Sequence, residues 1–168
     1  MIALRLVRLI ESHSEQLAEG LVHKLERSSR AADLKRVPAS ELRERAREVY
    51  RNLSDWILTK TEDDIERVYL PLGRRRAEQG VTLSALCWAL MMTEENLWDF
   101  LELEGMRERP LEILGGFELL RLLDQFFDQA IYFATLGYEA YTRDKEKQAA
   151  EAQHHQHAHP GERLAHVL

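Results

Sequence analysis

The sequence predicts an all-α domain of five or six helices, and three observations predict it. Apolar residues recur every three or four positions almost from end to end, the spacing of one helical face and not of a strand. Pro38, Gly80, Gly105 and Pro110 fall between these stripes, where helices stop and start. The chain, 168 residues with 45% apolar side chains, fits one domain. A domain of that size buries about 70% of the surface its unfolded chain exposes, enough for a core without disulfides.

The first stripe, Leu6, Ile10, His13, Leu17, Leu21 and Leu25, reads as one helix. Gly20 lies inside it at a cost of about 1 kcal/mol in helix propensity. Ser28 to Pro38 breaks the pattern and reads as a loop with room for one short turn. Ser40 is positioned as the N-cap of a second helix, with Glu41 and Glu44 in its first turn. Its stripe is Leu42, Ala46, Val49, Tyr50, Leu53, Trp56 and Ile57. On the outer face Glu41–Arg45, Glu44–Arg47 and Glu48–Arg51 read as solvated pairs at helical spacing. Thr61 caps a third helix that opens on Glu62, Asp63 and Asp64, continues through Ile65, Val68, Tyr69 and Leu72, and closes at Gly80. Pro71 should bend or restart it, because proline lacks the amide hydrogen a helix interior uses.

Thr82 caps the next helix, whose core side is Leu83, Leu86, Leu90, Leu97 and Leu101. Gly105 ends it, and Pro110 suits the first position of the last helix. That helix carries Leu114, Phe117, Leu120, Leu123, Phe127, Ala130, Ile131, Ala134, Tyr138 and Tyr141. Leu119, Leu122, Phe126 and Phe133 widen its stripe beyond one core face, so the helix is either central or meets a second copy. The expectation drawn is a homodimer with those four residues at its interface. From Asp144 the composition turns charged and histidine-rich. The expected division is a helical domain over 1–143 and a disordered tail over 144–168.

Composition excludes several classes. The net charge is −6; residues 1–80 carry 16 basic and 14 acidic side chains, and residues 81–168 carry 7 and 15. The acidic half would repel phosphates, so no nucleic-acid partner is expected. The basic cluster Arg74, Arg75 and Arg76 precedes Gly80, where cations complement a helix C-terminus. Cys87 alone cannot form an internal disulfide, which favours a reducing, cytoplasmic setting. The opening MIALRLVRLI is interrupted by Arg5 and Arg8 and lacks a signal-peptide pattern. The run from Val81 to Met92 is too short to span a bilayer, so no membrane insertion is expected.

Catalytic patterns are missing. A triad needs a base that can meet a nucleophile, and the body holds only His13 and His23, ten residues apart on one helix. No Glu-x-x-His pair of a di-iron bundle occurs. No His stands between Lys24 and Gln153, where a haem ligand would be needed. Glu94 and Glu95 are neighbours that point to different helix faces. No enzyme and no cofactor are expected. His154, His155, His157 and His159 form the one metal-like group; dense imidazoles bind Zn, Ni or Cu weakly, without the supporting shell of a built site.

Three stretches carry a family resemblance: Glu41–Ile57 (ELRERAREVYRNLSDWI), Gly73–Leu101 (GRRRAEQGVTLSALCWALMMTEENLWDFL) and Phe126–Tyr141 (FFDQAIYFATLGYEAY). They resemble the charged second helix, the basic R-x-x-Q-G helix end with its apolar successor, and the closing helix of the N-terminal domain of RsbRD-type proteins, co-antagonists of the kinase RsbT in bacterial stress signalling. The resemblance implies a non-haem, globin-like bundle acting as a sensory or scaffold input, with no catalytic residue to carry over. It leads to the expectation of a regulatory module working through protein contacts. The alternatives are a ligand sensor with a pocket among Trp56, Tyr69, Cys87, Trp88 and Trp98, or a histidine-tailed metal-binding protein.

Overall fold

The computed structural model describes residues 2–104 and 110–157, with side chains described over 4–104 and 116–155. Every regular element among the described residues is helical: α1 (Ile2–Ser12), α2 (Ser14–Arg27), a 3-10 segment (Ser29–Arg36), α3 (Ala39–Arg51), α4 (Leu53–Leu58), α5 (Glu62–Glu78), α6 (Leu83–Leu103) and α7 (Pro110–His157). The all-α class is as expected, but these are eight helical segments and not five or six.

The extra segments have local causes. In an unbroken first helix the His13 amide would donate to the Leu9 carbonyl. Instead the Ser12 hydroxyl and His13 Nδ1 both lie 2.8 Å from that oxygen, and the His13 N–H turns to Ile10. Side chains competing for a backbone acceptor break the helix there. The second break is at Asn52, whose amide side chain bonds the Glu48 carbonyl. Glu11 of α1 then accepts from both the amide and the hydroxyl of Ser54, satisfying the start of α4. The expected loop at Ser28–Pro38 is largely 3-10 helix, because Ala31, Leu34 and Val37 drop into the core at that tighter spacing.

Caps follow the sequence in part. Thr61 and Asp64 form a reciprocal capping box at the head of α5. The second long helix starts a residue before Ser40, which makes no cap bond. Pro71 does not restart α5: it sits on the exposed side, where the carbonyl it leaves free can face water. Gly80, with φ +74°, provides the left-handed turn that ends the helix, and the Arg36 guanidinium donates to its carbonyl.

α7 is the central element and touches α1, α4, α5 and α6. Its closest partner is α5. A Cβ on Gly73 would stand 1.8 Å from the Ala134 carbonyl oxygen, and one on Gly137 would stand 1.9 Å from that of Leu70. The two backbones therefore meet directly, which only glycine permits. Around them Trp56, Tyr69, Phe126 and Phe127 form a continuous aromatic cluster with centroid separations of 4.9–6.0 Å. A buried polar knot ties α2, α3 and α6: Asn96 donates to Leu17 O and Tyr50 Oη, and Tyr50 donates to Thr93 O.

The expected disorder from residue 144 is not found over 144–157, where α7 continues as helix. The segment DKEKQAAEAQ is rich in strong helix formers, and Arg74 of α5 pairs with Asp144 at 2.9 Å. Residues 158–168 lie outside the described residues.

Candidate functional site

The four residues expected at a dimer interface are mostly core. Leu119, Phe126 and Phe133 are buried within the chain and Leu122 is half-buried. Much of the wide stripe is accounted for by α7 packing against α1, α4, α5 and α6 of its own chain. The outer face of α7 instead exposes Phe117 (65%), Leu120 and Tyr132 (59%).

The five residues expected to line a pocket do not converge. Trp56 and Tyr69 meet in the aromatic cluster. Cys87 faces Thr135 of α7, with Sγ 3.8 Å from its hydroxyl. Trp88 turns the other way; its indole N–H donates to Ser28 and the Arg30 guanidinium covers its ring at 4.5 Å. Trp98 packs half-buried at the core margin. Of the five, only Tyr69 lines a partly open pocket of about 70 Å3, walled by leucines of α2, α3, α5, α6 and the 3-10 segment. Its polar lining is Arg45, Tyr69, Arg76 and Thr93.

Arg76 is 3% exposed and still charged, because Glu41 compensates it. The Glu41 carboxylate accepts two bonds from Arg75 (2.8 and 2.9 Å), one from Arg76 (2.5 Å) and one from Gln79 (3.4 Å). The Arg75 bonds, then those from Arg76, hold its pKa down at about 2. Glu41 is thus a cross-link between α3 and α5 and not the solvated partner of Arg45, which pairs with Glu48. The basic cluster read as a helix-end feature is consumed the same way: Arg75 and Arg76 by Glu41, Arg74 by Asp144.

A second electrostatic feature lies between α6 and α7. Burial, then the adjoining Asp124 carboxyl, and then the charges of Asp124, Asp128 and Glu95 push Glu94 up to about 7. None of these four acids forms an ion pair with a described residue. Phe117, Leu120, Asp124, Asp128 and Tyr132 follow one another at three- and four-residue steps, so acid and apolar groups share one face of α7. Sequence reading missed Glu94 because its neighbours come from another helix.

His154 and His155 are exposed in the last described turns of α7; the His157 side chain and His159 lie outside the described residues. No group of three or more potential metal ligands occurs among the described residues. No helix among them is long and apolar enough to cross a membrane.

The family model described as the RsbT co-antagonist protein rsbRD N-terminal domain matches residues 15–155. The chain belongs to that family, a stress-response regulatory domain and not a known enzyme family. No curated protein and no solved structure matches it.

Proposed function

We propose that the chain is a non-enzymatic regulatory module that acts by contact with a protein partner through the α6–α7 face. One observation carries this reading: Glu94, Glu95, Asp124 and Asp128 have no pairing cation among the described residues and stand on helices that also expose Met91, Phe117, Leu120 and Tyr132. Uncompensated acids beside wet aromatic groups suit a partner that is basic at its rim and apolar at its centre. The globin-like arrangement implied by the resemblance is part of the same reading, as is a cytoplasmic location, which the lone Cys87 favours. A homodimer on this face would set acid against acid at neutral pH, so a different protein is the better occupant.

The test is capture from native cell extract by the wild-type chain, by Asp124→Lys/Asp128→Lys, and by Leu58→Glu, which alters an exposed apolar residue elsewhere. Loss of a stoichiometric partner in the double variant alone is expected. Retention of that partner by the double variant would refute the assignment of this face. A second reading, a small-ligand sensor, is favoured by the cavity that Tyr69 and Arg76 line.

A further inference from the structure

We propose that the 70 Å3 cavity binds a short aliphatic carboxylate, with its oxygens on Tyr69 and Arg76 and its hydrocarbon end among the leucines. This rests on the ligand-sensing reading and not on the partner-contact reading.

The size sets the occupant. A cavity of roughly 150 Å3 accommodates benzene; this one has less than half that volume, which limits the hydrocarbon to about three carbons. The charge sets its sign. The only ionisable side chains besides Tyr69 on the cavity wall are Arg45 and Arg76, both cationic, and no carboxylate lines it. Glu41 reaches Arg76 through Nη1 alone, and Glu48 reaches Arg45 at a long 3.4 Å.

Unused donors set the place. Tyr69 is 2% exposed, yet its hydroxyl has no hydrogen-bond partner among the described residues. Arg76 spends both Nη1 hydrogens on Glu41 and Gln79. Its Nε and Nη2 have no partner among the described residues. Both groups border the same small, partly open pocket, and together they are complementary to a carboxylate. Burial raises the Tyr69 pKa, so the phenol remains a donor. The Thr93 hydroxyl is already satisfied by Ala89 O at 2.7 Å and is not needed.

The experiment is an NMR titration of the full chain with sodium butyrate and, in parallel, with 1-butanol. Expected are saturable butyrate shifts at Leu90 and Thr93, and binding of 1-butanol at least about tenfold weaker. Tyr69→Phe should weaken butyrate about tenfold without lowering the unfolding midpoint, because the hydroxyl has no protein bond to lose. Equal binding of butyrate and butanol would overturn the carboxylate assignment while leaving ligand sensing in place. Absence of shifts from either would overturn both and leave partner contact untouched. Butyrate shifts confined to exposed arginines such as Arg67, or an unaltered affinity in Tyr69→Phe, would also overturn the site.

Discussion

Adding one methyl group at Gly137 should destabilise this protein about as much as emptying a large side chain from its core. The new Cβ would lie 1.9 Å from the Leu70 carbonyl oxygen, whereas an ordinary carbon–oxygen contact is about 3.3 Å. The helices must then separate by about 1.4 Å at their crossing, and neither group can swing aside because the obstacle is backbone. A gap of 0.5–1 Å already forfeits about a quarter to a half of each dispersion contact beside it. Overpacking costs about 1–3 kcal/mol, and occasionally more; a backbone clash belongs at or above the top of that range. Against this, Ala gains about 1 kcal/mol over Gly in helix propensity. The net expectation is a loss of about 3 kcal/mol, or about 6–12 °C in Tm for a chain of this size. Urea and thermal unfolding followed by far-UV circular dichroism measure it. Gly73→Ala should behave alike, with its Cβ 1.8 Å from Ala134 O. The double variant should cost less than the sum, since one separation relieves both clashes. A Gly137→Ala protein as stable as wild type, or more stable, would refute the close approach.

Glu41→Gln should destabilise by about 2–3 kcal/mol at pH 7, because it leaves the buried Arg76 charge undercompensated. The folded pKa of Glu41 is depressed to about 2, so this difference should shrink as pH falls from about 4.5 through 2; urea midpoints across that range check it. Glu94 has the opposite sign: its pKa is raised to about 7 by burial and then by Asp124. Wild-type stability should fall as pH rises from about 4.5 to 7, and Glu94→Gln should be more stable at pH 8 by about 1 kcal/mol after allowance for solvent screening, with little difference at pH 4.5. Phe133→Glu should abolish cooperative unfolding and not merely change oligomeric state, since Phe133 is core; light scattering with circular dichroism distinguishes the two outcomes.

Features written in contiguous residues were legible. The Thr61–Asp64 cap, the Gly80 stop and the core stripes of α2, α3 and α6 each depend on neighbours within one turn. The breaks at His13 and Asn52 were not, because the apolar stripe continues across both; at His13 side chains take the Leu9 carbonyl, and at Asn52 the side chain shares the Glu48 carbonyl with its own backbone amide. The surplus apolar residues of α7 were correctly seen as too many for one face. Periodicity cannot tell residues buried against the same chain from residues facing a second copy, and Leu119, Phe126 and Phe133 are buried within the chain. Glu41 illustrates the same limit: spacing offers Arg45, but α5 brings Arg75 and Arg76 closer. Of the five aromatic and sulfur residues expected to share a pocket only Tyr69 lines the one between α2, α3, α5 and α6, since Trp88 and Cys87 sit on different sides of α6.

Past Tyr141 every described side chain of α7 is exposed, and the Arg74–Asp144 pair ties this part back to the body. In mechanical terms the protruding helix is a lever whose fulcrum is the glycine contact at Gly137. The arm from Gly137 to His157 is about 30 Å at helical rise. A tilt of about 10° at the fulcrum therefore carries the far end through about 5 Å. At that ratio a shift of about 1 Å at Asp144, seven residues past the fulcrum, becomes about 3 Å at His157.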